Sequence, residues 1–442
     1  MSRTTETIAR FFRLALWPLC VSVLVVLLLQ PLYFLSLASL GTLAPRERTV
    51  AHISAAFEQG VLADDGAPRS LLWKGGEQLT ECISLGVGLN KAESAWQSAI
   101  TGAYPMAGPH ACAGLHHAAA GEPTAWQPYF RYWHGYRVIL APLVALFPLW
   151  FVKILNALLV AAVLVALART LCHRAGAAAA AIVLVTFLCL SDVLFIWRTS
   201  THSLSLAFIL AGSCLFAAAL KRQWHTSALI ILAAILGSGL NFIDFLINPP
   251  MMPMLIAFFA LADDRAEAGP LALAAVVAWF GGYAETWFAK WLIAYFAMPA
   301  SAHVIADILG TIENRTVGAF TGVYLLPFAA TLRTFLRALD RVGVIVPIVI
   351  AIAVAHYATS VSRIDWRRAL RLASPVLVAV IWFEALSSHT QYHLTVSSRS
   401  AAMGIAIALA AVVLSMPQRP TLRDLRLHVV LMTAKLKRRR SS

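Results

Sequence analysis

The chain has 442 residues, of which 60% are hydrophobic and 13% are charged, whereas a soluble domain is about a quarter charged. Apolar runs long enough to cross a bilayer recur along its length, which indicates a polytopic helical membrane protein and excludes a β-barrel with alternating strands. The formal net charge of +14 collects in short turns and in the C-terminal tail, as the positive-inside rule requires of a membrane protein. That distribution argues against a nucleic-acid partner.

The first apolar run extends from about Leu14 to Leu40 and follows three arginines within residues 1–13. It is longer than the apolar core of a signal peptide, so we predict an uncleaved first membrane helix with a cytoplasmic N-terminus. Residues 41–137 then form a long polar stretch, which we predict to be an external loop. Within it, Arg46–Gln59 and about Leu89–Thr101 have the apolar spacing of amphipathic helices that lie on a membrane surface.

Two of the six cysteines, Cys82 and Cys112, lie in this polar loop. If the loop faces an oxidising compartment outside a bacterial inner membrane, these two thiols are able to pair. Such a disulfide would stabilise the fold by roughly 3–4 kcal/mol through the entropy of the unfolded chain. The alternative is two unrelated free thiols.

Nine further apolar segments follow the loop. They are about Val138–Ala168, Gly176–Phe195, Leu204–Leu220, Ser227–Leu240, Met251–Leu261, Leu271–Phe296, Val344–Ala358, Ala373–Ser387 and Ala401–Met416. With the run before the loop counted as the first segment, basic turns follow the second, fourth and eighth segments. These turns and the basic tail at residues 417–442 fall on the side of the N-terminus. We therefore predict an all-α polytopic protein, one membrane domain over residues 1–442, with about ten transmembrane helices. The fifth and sixth segments are short, so a link between them that enters the membrane and returns to the same side is an alternative to two full spans.

The residues capable of chemistry are predicted to gather at the outer ends of the helices. They are Glu77, Glu81, Arg131, His134, Arg137, Asp192, Arg198, His202, Asp244, Glu285, Lys290, Glu313, Arg315, His389, His393 and Arg399. Ionisable groups at membrane depth are costly and therefore usually line a cavity or a pathway. Arginines suit a phosphate, aromatic faces suit a sugar ring, and a carboxylate suits deprotonation of a hydroxyl group.

Each candidate also has a plain structural interpretation. Glu81 is either a catalytic base or a solvated loop carboxylate, and it outranks Glu77 because the predicted disulfide at Cys82 would hold it in place. Asp244 either contacts substrate or caps a helix. The His389–His393 spacing places two rings on one helix face, but no third metal ligand follows, so we predict substrate contact or packing and no metal.

The remaining candidates have alternatives of the same kind. Arg399 is either a phosphate ligand or an anchor at the membrane interface. Arg131 and His134 lie in a run of aromatic residues that is also typical of an interfacial belt. With Arg198 and His202, they are predicted to contact the substrate.

The layout of one helix, a large first loop with a carboxylate and many spans resembles the GT-C class of glycosyltransferases that use lipid-linked sugars. Four sequence blocks carry a closer resemblance: Thr-Glu-Cys-Ile-Ser-Leu at 80–85, Arg-Tyr-Trp-His-Gly-Tyr at 131–136, Asn-Phe-Ile-Asp-Phe-Leu at 241–246 and His-Thr-Gln-Tyr-His at 389–393. They are similar to blocks of a bacterial group that includes the arabinofuranosyltransferase of type IV pilins.

The resemblance implies a polyprenyl-phosphate sugar as donor, plausibly arabinofuranose, and an inverting transfer to a periplasmic protein or glycan hydroxyl. It implies that Glu81 is the general base, at a position where an aspartate is usual. Asp244 would orient the sugar or the acceptor, while His389, His393 and Arg399 would hold the donor phosphate. Neither a metal nor another cofactor is required, because cationic groups stabilise the leaving phosphate.

Other classes of membrane protein remain as alternatives. A transporter or flippase for a lipid-linked sugar predicts inverted repeats and broken helices at mid-membrane, and the sequence has no such symmetry. An acyltransferase or an O-antigen ligase would place its large loop later in the chain. A non-catalytic scaffold is the last alternative.

Overall fold

The computed structural model describes residues 3–68, 72, 77–318, 328–340, 345, 348, 349 and 364–416. Within these ranges the chain is almost entirely helical, and its longer helices are α1 (Arg3–Ala38), α3 (Arg46–Glu58), α8 (Leu149–Leu190), α9 (Ser200–Lys221), α10 (Thr226–Ile243), α12 (Ala268–Ala297) and α18 (Leu394–Leu414). The shorter helices are α2 (Leu40–Leu43), α4 (Gln78–Gly86), α5 (Ala95–Thr101), α6 (Ala111–Ala120), α7 (Arg137–Leu146), α11 (Met251–Leu261), α13 (Val304–Glu313), α14 (Ala329–Leu339), α15 (Trp366–Ala373), α16 (Val376–Ala385) and α17 (Ser387–Tyr392).

Six helical stretches among the described residues are long and apolar enough to cross a membrane. They are Ala15–Leu43, Leu149–Leu190, Ser200–Lys221, Thr226–Ile243, Ala268–Ala297 and Leu394–Leu414. The protein is therefore an all-α polytopic membrane protein, as predicted, although about ten separate spans are not confirmed. Most of the predicted eighth segment and the tail at residues 417–442 lie outside the described residues.

The predicted second segment is divided at Pro148. Phe147 has an extended backbone, and the helix restarts at Leu149. The residue before a proline is pushed out of the helical region by steric conflict with the proline ring. The predicted single span over Val138–Ala168 is therefore corrected to α7 followed by the first half of α8.

Helix α8 is a hairpin of two helices that meet at Gly176, whose φ of 84° is not helical. A straight helix of this length would extend for roughly 60 Å. Instead, the Asn156 side chain near its start donates a hydrogen bond of 3.1 Å to Ser200, which follows its end. The reversal at Gly176 agrees with the predicted start of the third segment at this residue.

Helices α10 and α12 pack closely against each other. A Cβ atom on Gly237 would lie 2.1 Å from the carbonyl oxygen of Trp279, and one on Gly282 would lie 2.2 Å from that of Ala234. Small residues permit such close contact between membrane helices. A hydrogen bond of 2.7 Å between the hydroxyl groups of Ser238 and Thr286 adds a polar link at the same interface.

Helix α11 is buried along its whole length, from Met251 to Leu261. It matches the predicted sixth segment, but its eleven residues are too few to cross a bilayer. It packs against α9 and α12, so its apolar character reflects burial within the protein.

The polar loop is folded on the bundle. The predicted surface helix at Arg46–Gln59 is present as α3, while the second begins only at Ala95, because Ser94 and Gln97 form a capping box there. A short antiparallel ribbon joins β1 (Tyr104–Met106) and β2 (Ala125–Gln127). These strands and the helices α4 and α6 were not predicted.

The predicted disulfide is confirmed, because Cys82 of α4 is bonded to Cys112 of α6. A second attachment comes from α12, where buried Lys290 donates hydrogen bonds of 2.6 and 2.8 Å to the carbonyl oxygens of Ala99 and Ile100. A cation at the C-terminus of α5 also suits its helix dipole. The disulfide thus links two helices of the loop to each other, and the Lys290 hydrogen bonds link the loop to the helix bundle.

Candidate functional site

Two cavities meet beside the N-terminus of α4. One has a volume of about 780 Å³ and the other about 220 Å³, and both are lined by Glu77, His202, His393 and Val396. These residues come from the polar loop, the start of α9 and the junction of α17 and α18. The fold therefore brings distant parts of the chain to one polar chamber, which we call the central chamber.

Five of the predicted site residues line this chamber and four do not. Those that line it are Arg198, His202, His389, His393 and Arg399. Those that do not are Glu81, Arg131, His134 and Asp244. The chamber is also lined by Glu77 and Arg315, which were noted as outer-face residues but were not chosen as site residues.

The carboxylate of Glu77 stands at the end of a chain of side-chain contacts. Asp192 accepts hydrogen bonds of 2.6 and 2.8 Å from Arg399. Nη1 of Arg399 lies 3.3 Å from Nδ1 of His202, and Nε2 of His202 lies 3.2 Å from Oε2 of Glu77. Because the arginine is only a donor, Nδ1 of His202 accepts and its Nε2–H points at Glu77. This series of contacts sets both the tautomer of His202 and the position of the Glu77 carboxylate.

The carboxylate of Glu81, the predicted base, is directed away from the chamber. Lys153 and the hydroxyl group of Ser200 donate to Oε1 at 2.9 and 2.7 Å, and the backbone N–H of Ser200 donates to Oε2 at 2.7 Å. Glu81 is 1% exposed. Both of its oxygens are thus occupied by donors from α8 and α9, which is the arrangement of a buried structural ion pair.

Lys153 is the partner that the sequence analysis missed. It is the lone lysine within the apolar run that was predicted as the second span. A buried charge at such a position requires a counter-charge. The lysine itself was therefore a signal that one acid of the loop is buried.

Arg315 lines the smaller part of the chamber. Its Nη2 donates to the hydroxyl group of Tyr132, and its guanidinium carbon lies 5.2 and 5.3 Å from the ring centroids of Tyr132 and Trp287. Within the described part of the chain, its Nη1 has no hydrogen-bond partner. Aromatic faces hold a guanidinium in place and leave its edge able to bind an anion.

His389 and His393 stand beside this arginine, with ring centroids 4.7 Å apart. Burial lowers the pKa of His389 to about 3, and the neighbouring His393 and Arg315 act in the same direction. Burial also lowers the pKa of His393, against the opposing effect of Glu77. Both rings are therefore neutral near pH 7, and each has one N–H donor. Nε2 of His389 lies 3.5 Å from the carbonyl oxygen of Leu246, so an anion would share the N–H of His389 with that oxygen.

Three of the predicted residues that do not line the chamber, Asp244, Arg131 and His134, hold neighbouring segments in place. Asp244 accepts hydrogen bonds of 2.7 Å from Ser205 and 2.9 Å from the backbone N–H of Ile247, and so holds the link after α10. Arg131 pairs with Asp307 at 2.9 Å, and His134 bonds the carbonyl oxygen of Tyr129 at 2.7 Å.

These contacts set an aromatic wall. Tyr129, Tyr132 and Phe245 line the smaller cavity, and the rings of Tyr132 and Phe245 meet edge to face at 5.3 Å. Such a surface suits the apolar face of a sugar or the end of a lipid chain.

Among the residues that the structure describes, no group of three or more His, Cys, Asp or Glu side chains is arranged to hold a metal ion. No protein-family model, curated protein or solved structure matches this chain. Its function is therefore inferred from the geometry of the central chamber and from the sequence blocks described above.

Proposed function

We propose that the protein is a GT-C-type glycosyltransferase that transfers a sugar from a polyprenyl phosphate to a hydroxyl acceptor. One observation carries the proposal: the oriented carboxylate of Glu77 shares a chamber with the anion-binding groups of Arg315, His389 and His393. An acid for the acceptor and donors for a phosphate are the two sets of groups that such a transfer needs. The sequence blocks that resemble the GT-C class support the same assignment.

In this mechanism Glu77 is the general base, in place of Glu81. Its carboxylate takes the proton of the acceptor hydroxyl, and the oxygen attacks the anomeric carbon of the donor sugar. The bond from that carbon to the phosphate oxygen breaks, and the electron pair leaves with the polyprenyl phosphate. His202, held by Arg399, is a positioning residue that keeps Glu77 in line with the acceptor.

The leaving phosphate is held by Arg315, with His389 and His393 as neutral donors. Arg315 replaces Arg399 in this role, because Arg399 is already engaged by Asp192 and His202. The charge that develops on the phosphate is met by donors that are already in position, which lowers the barrier without a metal ion.

The sequence resemblance supports arabinofuranose as the sugar and a pilin or surface glycan as the acceptor. An active site that faces the periplasm from the bacterial inner membrane is part of the proposal. It is supported by the course of α9, which starts at the chamber with His202 and ends at Lys221, beside Arg222. The basic end belongs on the cytoplasmic side.

The test is an assay of pentose transfer from a synthetic polyprenyl-phosphate donor by Glu77→Gln and Glu81→Gln variants. We expect Glu77→Gln to lower transfer by about 10²–10⁴-fold, the contribution of a general base, with unchanged yield of folded protein. Glu58→Gln removes an exposed carboxylate from α3 and is the matched control. In cells, mass spectrometry of surface proteins and glycans with and without the chain would identify the acceptor.

Wild-type transfer by Glu77→Gln would contradict the assignment of the base. If Glu81→Gln folds normally and loses transfer while Glu77→Gln keeps it, the base is Glu81. If deletion of the chain changes no glycan and purified protein transfers no sugar, the transporter alternative is favoured.

A further inference from the structure

A third cavity, of about 210 Å³, lies at the C-terminal end of α4, whereas the central chamber is lined by Glu77, Thr80 and Ile83. The lining of the third cavity comes from the C-terminal end of α1, α2, the start of α3, residues 84–98 and α7. Among the described residues, it shares no lining residue with the central chamber. We call it the loop cavity, and no role in the proposed transfer uses it.

Four buried polar atoms of this lining have no hydrogen-bond partner within the described residues. They are Nε of Arg46, Nε of Arg137, Oε2 of Glu93 and Oγ of Ser98. Arg137 is only 7% exposed, and its guanidinium lies against Gly88, where a Cβ atom would be 2.0 Å from Nη2. Buried polar groups in native folds are nearly always paired, so such a concentration points to an absent partner.

The charge of the loop cavity indicates the kind of partner. Arg46, Lys91 and Arg137 supply three cations, whereas Glu93 is the one acid of the lining. Burial raises the pKa of Glu93, although the hydrogen bond from Thr101 and the charge of Arg137 oppose that shift. The lining is therefore cationic overall, and two guanidinium groups suit a tetrahedral oxyanion.

The opposite side of the loop cavity is apolar. It is formed by Leu37 and Leu40 at the end of the first span and by Leu140 and Val144 of α7. Nearby, Leu35 of α1 and Leu43 of α2 are exposed on the protein surface. A cationic end beside an apolar wall fits an amphiphile with an anionic headgroup, in the manner of a basic lipid-headgroup pocket.

We propose that the loop cavity is a phosphate-binding site, with the guanidinium groups of Arg46 and Arg137 as donors, for an anionic lipid headgroup or for free phosphate. A bound phosphate would accept hydrogen bonds from the unpaired Nε–H groups of both arginines. It would also hold the C-terminal end of α4, at the other end of the helix from Glu77. The proposal does not depend on glycosyl transfer, because it concerns only the affinity of this cavity for phosphate.

The test uses full-length protein and two probes. Phosphatidylglycerol is titrated into protein in phosphatidylcholine nanodiscs and bound lipid is counted by native mass spectrometry, while inorganic phosphate is titrated by calorimetry. We expect Arg46→Gln to weaken binding about tenfold, the effect of one lost charge-assisted hydrogen bond. Arg48→Gln, an exposed arginine of the same helix, is the matched control and should change the affinity less than about twofold.

Glu93→Gln should change the phosphate affinity in the opposite direction from Arg46→Gln. It removes the one negative charge of the lining and keeps an acceptor for Thr101, so phosphate should bind more tightly. Saturable binding of phosphatidylglycerol alone would support the lipid source, and binding of inorganic phosphate alone would support free phosphate. If neither probe saturates, or if Arg46→Gln and Arg48→Gln weaken binding equally, the proposal is overturned.

Discussion

At the scale of single residues, two neighbouring acids of α4 have opposite environments. Glu77 directly precedes the first residue of the helix and faces the central chamber, whereas Glu81, one turn later, is buried against Lys153 and Ser200. Residues four apart share a helix face, so spacing alone does not separate a chamber acid from a buried acid. The difference arises from α8 and α9, which cover Glu81 and leave Glu77 open.

The ion pair of Glu81 gives a prediction about stability. Glu81→Gln leaves the ammonium group of Lys153 buried without a counter-charge and should destabilise the protein by about 3–5 kcal/mol. Combining it with Lys153→Met removes the orphaned charge and should restore much of the loss. Thermal unfolding in detergent measures both variants, and a single variant as stable as the wild type would contradict this role.

The histidines of the chamber give a prediction about pH. The pKa of His389 is about 3 in the folded protein, below the roughly 6.5 of an unfolded chain. Below pH 6.5 the unfolded state therefore binds a proton that the folded state rejects, and stability falls as the pH falls. At pH 5 this amounts to about 2 kcal/mol.

His389→Gln removes this titration, so its melting temperature should fall less than that of the wild type between about pH 7 and 5. His173→Gln, at an exposed histidine, is the control for histidine loss in general. If the melting temperatures of the wild type and His389→Gln fall equally between about pH 7 and 5, burial of His389 does not lower its pKa as described.

At the scale of elements, glycines decide how closely the helices pack. Gly281 and Gly282 are neighbours in α12, but only Gly282 faces α10. Side chains on successive helical positions point about 100° apart, so one lies in the interface and the other outside it. This pair provides a matched test of the helix contact.

Gly282→Ala should destabilise the bundle, because its methyl group would lie 2.2 Å from the backbone oxygen of Ala234, which has little freedom to move. The expected loss is about 1–3 kcal/mol, as for other overpacked cores. Gly281→Ala meets no atom within 4 Å and should be neutral or stabilising, since alanine favours helix. Equal melting temperatures for the two variants would exclude close packing at this interface.

At the scale of the whole molecule, charged residues gather at both ends of α9 but form different structures. One end meets the central chamber. At the other, Asp263 pairs with Arg174 and Arg265, and Arg265 also donates to the carbonyl oxygens of Leu220 and Trp224. The acidic turn after α11 is thereby neutralised by arginines.

This arrangement predicts the membrane topology. In a variant without the four free cysteines, Lys91→Cys should react with an impermeant maleimide added to intact spheroplasts, whereas Gln223→Cys should react only after lysis. Lys91 belongs to the polar loop, and Gln223 follows the basic end of α9. Labelling of Gln223→Cys in intact spheroplasts would reverse the proposed orientation.

The sequence by itself determined the all-α membrane class and most helix positions, and it predicted the pairing of Cys82 with Cys112 that the structure confirms. Apolar runs and turn residues are local signals, and the two loop cysteines had few alternative partners. Helix boundaries were less well determined where a proline or a capping box intervenes, as at Pro148 and Ser94.

Only the tertiary structure decided which acid faces a cavity and which apolar helices are buried within the protein. Helix α11 is as apolar as a span but is buried by its neighbours. Glu81 and Glu77 look alike in sequence, yet only Glu81 forms a buried ion pair with Lys153, which lies 72 positions further along the chain. Burial and charge pairing depend on residues far apart in the chain, and a local pattern does not contain that information.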